Sequence, residues 1–108
     1  MPAFVMLLLA ITCEVIATAA LKVSAGMTRL VPGIVVVIGY AMAFYFLSIS
    51  IKQLPLGPSY AIWSGLGTVG AVALGVLIWH EKLDAIRVIG IVLIIAGVVL
   101  LQMANPPD

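Results

Sequence analysis

Four long apolar runs alternate with short polar or turn-rich breaks along the 108 residues of this chain. The first run, Phe4–Leu21, predicts a helix about 27 Å long, close to the ~30 Å thickness of a bilayer's hydrocarbon core. Lys22, Ser24, Gly26, Thr28 and Arg29 break it. The second run extends from about Gly33 to Ile51 and ends in Lys52-Gln53-Leu54-Pro55-Leu56-Gly57-Pro58, where two prolines and a glycine do not continue a helix. The third covers about Ser59–Trp79. His80, Glu81, Lys82 and Asp84 form the next loop, and Ile86–Leu101 makes the fourth run. Asn105-Pro106-Pro107-Asp108 is expected to be a short disordered tail. Lipid offers no partner to an exposed sheet edge, so the pattern predicts an all-α membrane protein, a single domain over 1–108 with four transmembrane helices.

Composition strengthens the membrane reading and removes several function classes. Hydrophobic residues make up 65% of the chain and charged residues 8%, too little polar surface for a soluble domain of this size. The net charge is +1 and no basic cluster exists, so nucleic acid is not an expected partner. The lone cysteine, Cys13, excludes an intrachain disulfide and a cysteine-rich metal site. His80 with Glu81 and Asp84 offers too few donors for a metal. No phosphate-cradling loop and no nucleophile–base pair is present, so neither an enzyme nor direct ATP coupling is expected, and no cofactor. The start, Met1-Pro2-Ala3-Phe4, lacks the basic residues of a secretory signal, so the first run is expected to be retained. Lys22, Arg29, Lys82 and Arg87 fall in loops on one side against Lys52 alone on the other. That count by itself would put the termini outside the cytoplasm.

Chemistry concentrates on one residue. Glu14 is the only acid inside the apolar runs, and a carboxylate at that depth is costly unless it is protonated, paired or facing water. It reads as a site for protons, cations or both. The alternative is a protonated Glu14 that hydrogen-bonds a neighbouring helix as an adhesive contact. One turn away on the same helix lie Ala10, Ile11, Ala17 and Thr18. The small side chains Ala10, Ala17 and Thr18 are expected to leave room beside the carboxyl group, and Thr18 brings a hydroxyl.

Aromatic residues complement the acid. Tyr60, Trp63, Ser64 and Gly67 share a face of the third helix, and Tyr40 and Phe44 share one of the second. Tyrosine and tryptophan near span ends often serve as interfacial anchors, a reading that suits Trp79 better than the deeper Trp63. Aromatic faces beside a carboxylate would receive a lipophilic cation, because the ring quadrupole attracts its charge and the ring body accepts its apolar groups. The Gly65–Gly67 pair just after Trp63 is read as a kink able to move during transport. Gly90 and Gly97 share a face of the fourth helix that carries no chemistry, so they are read as a helix–helix contact.

The run Leu54-Pro55-Leu56-Gly57-Pro58-Ser59-Tyr60-Ala61-Ile62-Trp63-Ser64-Gly65-Leu66-Gly67 resembles the third-helix signature of the small multidrug resistance transporters. Glu14-Val15, Leu21-Lys22 and Gly26-Met27-Thr28-Arg29-Leu30 extend the resemblance over nearly the whole chain. It implies a bacterial inner-membrane exporter that exchanges protons for cationic compounds and works as a homodimer of oppositely inserted subunits. By that resemblance Glu14 binds proton or substrate, Tyr40, Tyr60 and Trp63 line the substrate site, Gly65–Gly67 form the kink, and Gly90 and Gly97 make the dimer contact. Two positions depart from the pattern. Phe4 lacks the hydroxyl of a tyrosine found in some members, and Ala43 replaces a serine found in several. A guanidinium-exporting branch typically has glycine and tryptophan where this chain has Ile11 and Ala17, so the multidrug, quaternary-ammonium branch is the closer match.

Elementary physics is consistent with exchange. A cation favours the ionised carboxyl and a proton cancels it, so the two compete for Glu14. With alternating access, that competition couples inward proton flow to outward cation movement. Four helices are too few to enclose a cavity and close it alternately at both faces, which predicts a homodimer. The competing classes are a guanidinium exporter of the same family and a non-transporting proton-handling subunit. The latter also carries one intramembrane acid, but commonly on a two-helix hairpin.

Overall fold

The computed structural model describes residues 2–104, so the expected tail from Asn105 to Asp108 lies outside the described residues. Within them the chain forms four helices and no strand: α1 (Ala3–Val23), α2 (Leu30–Ser50), α3 (Leu56–Trp79) and α4 (Ala85–Ala104). All four are long and apolar enough to cross a membrane. α2 and α3 begin earlier than the apolar pattern suggests, for one reason. Pro32 and Pro58 sit inside the first helical turns, where the backbone N–H has no intrahelical acceptor and its absence is harmless. The prolines open these helices rather than separating them.

Packing divides the helices into two hairpins, α1 with α2 and α3 with α4. The turn of the first hairpin is built around Ser24, which is fully buried. Its hydroxyl donates to the Leu21 carbonyl at 2.6 Å and accepts the Met27 N–H at 3.0 Å. Its carbonyl receives the N–H groups of Thr28 and Arg29. Ala25, Gly26 and Met27 all take positive φ, at 51°, 73° and 67°, a conformation disfavoured for the two residues that carry a Cβ. The hydrogen bonds to Ser24 hold this turn, and so set where α2 begins to run along α1.

In the second hairpin Gly65 meets α4. A Cβ there would lie 3.0 Å from Ile94 Cγ2 and 3.2 Å from Val98 Cγ2. The glycine therefore admits two β-branched side chains close to the α3 backbone. α3 runs as one helix through Gly65 and Gly67. At its end His80 adopts φ 56°, and the Glu81 N–H returns to the Gly75 carbonyl at 3.0 Å. The Glu81 carboxylate then covers Gly75 on the side where a Cβ would collide with it. Asp84 opens α4 by accepting the Arg87 N–H at 3.0 Å, an N-cap bond, with the Arg87 side chain paired to it as well.

Candidate functional site

Glu14 lies near the middle of α1 and is partly exposed. The 3.6-residue period places Thr18 one turn along, and the two side chains meet. The Thr18 hydroxyl is 3.2 Å from Glu14 Oε1 and 2.9 Å from the Glu14 carbonyl oxygen. The same hydroxyl lies 2.8 Å from the phenol oxygen of Tyr40 on α2. A threonine hydroxyl has one proton and two lone pairs. When that proton goes to Glu14, the Tyr40 O–H donates to Thr18, giving a directed chain from Tyr40 through Thr18 to Glu14. When Glu14 is protonated, its own O–H is able to donate to Thr18 and the chain reverses. The three groups thus form a hydroxyl relay that answers to the state of the carboxyl group.

What lets the two helices supply this relay is their closeness. A Cβ on Gly39 would lie 2.8 Å from Ala17 Cβ, 3.4 Å from Ala17 Cα and 3.5 Å from the Cys13 carbonyl oxygen. Ala17 is completely buried, as is Ala10. Here the structure corrects an expectation: Ala17 is not open space beside the carboxyl group but part of the α1–α2 contact. Small residues serve two ends in membrane helices, cavity and contact, and only the opposing helix decides between them. Gly39 carries no chemistry of its own to mark it in the sequence. Its signal was its place next to Tyr40 in mid-span, although nothing along the chain says which residue it faces.

The remaining candidates fall on both hairpins. Phe44, one turn beyond Tyr40 on α2, is 55% exposed. On α3, Tyr60 and Trp63 touch edge to face, with ring centroids 5.8 Å apart and planes at 74°. Tyr60 is 58% exposed while Trp63 is partly buried, so the pair offers one accessible ring braced by another. Ser64 is exposed and Gly67 buried. Gly90 and Gly97 on α4 have open space where a Cβ would stand, and α4 has no buried residue. Among the described residues no group of three or more His, Cys, Asp or Glu is placed to hold a metal ion.

Residues 2–94 match the model of the family described as small multidrug resistance protein. The chain is 50% identical over 105 residues to the quaternary ammonium compound-resistance protein QacE of Escherichia coli, covering 97% of this chain and 96% of the relative. It is 48% identical over 102 residues to QacF of Klebsiella aerogenes, covering 94% and 93%. Over 99 residues it is 48% identical to the multidrug resistance protein EbrA of Bacillus subtilis, covering 92% and 94%.

Proposed function

The chain belongs to the small multidrug resistance family, and from that premise we propose that it exports lipophilic or quaternary-ammonium cations in exchange for protons. It is an efflux transporter, not an enzyme, and a multi-pass protein of the bacterial inner membrane. The observation that carries the proposal is Glu14: a carboxyl group inside an apolar helix, hydrogen-bonded by Thr18, which in turn bonds Tyr40. An ionised Glu14 attracts a cation, and an aromatic ring such as that of Tyr40 in the same hairpin suits the apolar groups of a lipophilic one. A proton arriving from the outer side neutralises the carboxyl group, removes that attraction and releases the cation outward. Reorientation of the protonated form and loss of its proton to the cytoplasm complete one exchange. The relatives named for quaternary ammonium resistance support the substrate class, as does the resemblance, since Ile11 and Ala17 stand where the guanidinium-exporting branch typically has glycine and tryptophan.

A homodimer with oppositely inserted subunits is part of the same proposal. α4 packs on α3 yet has no fully buried residue, and Gly90 and Gly97 have open space where a Cβ would stand, a surface of the kind on which membrane helices approach closely. Gly97→Val is expected to remove the dimer while sparing the protomer, because a side chain at 97 meets nothing in its own subunit. Cross-linking and light scattering of the purified protein in detergent check this. Unchanged dimers would place the contact elsewhere.

The exchange itself is tested in proteoliposomes loaded with acidic buffer and diluted into neutral buffer. Uptake of tetraphenylphosphonium should follow the pH gradient and collapse when the gradient is dissipated. Uptake indifferent to the gradient would contradict proton coupling. Guanidinium uptake without tetraphenylphosphonium uptake would move the chain to the other branch.

A further inference from the structure

We infer that Gly39 is a positioning residue for the proposed exchange, setting the approach of α2 to α1 that places Tyr40 on the Thr18–Glu14 pair. The inference rests on the reading of Glu14 as the coupling carboxyl group. Two adjacent residues on each helix share the work. Gly39 meets Ala17, while their neighbours Tyr40 and Thr18 join hydroxyl to hydroxyl at 2.8 Å. A methyl group on Gly39 would stand 2.8 Å from Ala17 Cβ, against a comfortable carbon–carbon separation of about 3.5–4.0 Å. Relief requires the helices to part by roughly 1 Å at this level. A 2.8 Å hydrogen bond stretched by that amount passes beyond useful range. The contacts of Thr18 with Glu14, at 2.9 Å to its carbonyl oxygen and 3.2 Å to Oε1, lie within α1 and survive, but Thr18 loses the Tyr40 hydroxyl that donates to it and strengthens its bond to the carboxyl group.

The same geometry contains a rescue. The only clash below 3.0 Å is with the Ala17 methyl; the next atoms, Ala17 Cα and the Cys13 carbonyl oxygen, are at 3.4 and 3.5 Å. Moving the methyl from α1 to α2, by combining Ala17→Gly with Gly39→Ala, therefore leaves the helix spacing as it was. Position 39 matters through the sum of the two side chains, not through glycine's flexibility. Nothing in its backbone requires glycine, since Gly39 does not have positive φ.

The test is a titration of tetraphenylphosphonium binding to purified protein in detergent at neutral pH. Gly39→Ala is expected to weaken binding about fivefold, on the order of one lost hydrogen bond between neutral groups. The pair Ala17→Gly with Gly39→Ala should return to within about twofold of wild type, and Gly39→Ala should add little in a Tyr40→Phe background, because the two changes break one connection. Wild-type affinity in Gly39→Ala, no recovery in the swapped pair, or losses that multiply with Tyr40→Phe would each overturn the inference. If Gly39→Ala does not fold, the swapped pair decides alone by recovering binding or failing to. Absence of binding by the wild type would instead overturn the functional reading on which the inference rests.

Discussion

Glu14→Gln should abolish resistance, bringing growth in a quaternary-ammonium compound down to that of cells without the protein. The amide matches the carboxyl group in size, and its oxygen is able to accept the Thr18 hydroxyl that Glu14 Oε1 now meets at 3.2 Å. The hairpin should therefore hold its shape while the ionisable group disappears. Removing one partner of a partly desolvated charge pair costs about 2–5 kcal/mol, a loss of roughly thirtyfold to several thousandfold in cation affinity. Transport should vanish altogether, since a side chain without a proton to exchange cannot couple two fluxes. Resistance undiminished in Glu14→Gln, with the protein present at wild-type amounts, would send the search to Glu81 and Asp84. Both lie in the α3–α4 loop region and are already engaged there, Glu81 against Gly75 and Asp84 in capping α4.

Trp63→Ala should discriminate among substrates by size. Trp63 is partly buried and braces the exposed ring of Tyr60 from its edge. A large aromatic cation such as tetraphenylphosphonium would lay its rings on this pair, whereas tetramethylammonium offers little to stack. Losing one cation–aromatic contact is worth about 0.5–2 kcal/mol, or roughly two- to thirtyfold. The larger figure is expected for tetraphenylphosphonium and the smaller for tetramethylammonium, both read as dissociation constants on purified protein. Equal losses for the two cations would place the indole in the packing of α3 rather than against substrate.

The parts that follow a single helix were legible from residue order, and the parts that need two helices were not. Four apolar runs of membrane length give four helices because lipid leaves the backbone no other way to satisfy itself. The meeting of Glu14 with Thr18 follows from a four-residue spacing, and that of Tyr60 with Trp63 from a three-residue one. The apolar runs begin at about Gly33 and Ser59 while α2 and α3 begin at Leu30 and Leu56, since proline reads as an interruption along the chain but is harmless in a first turn. Ala17 and Gly39 show the deeper limit. Periodicity tells which residues share a face, but not which face of the neighbouring helix stands opposite, so a small residue reads equally as cavity or contact. The link from Thr18 to Tyr40 crosses 22 positions of sequence and depends on that opposition. Likewise, the open space at Gly90 and Gly97 takes meaning only once α4 is seen to have no fully buried residue of its own.

The most direct measurement is proton release from purified protein on adding tetraphenylphosphonium, in weakly buffered detergent solution over a series of pH values. If cation and proton compete for Glu14, the wild type should release protons on binding across a limited pH range. Glu14→Gln should release none at any pH. Binding without proton release in the wild type, or release that persists in Glu14→Gln, would contradict the claim that one carboxyl group serves both ions.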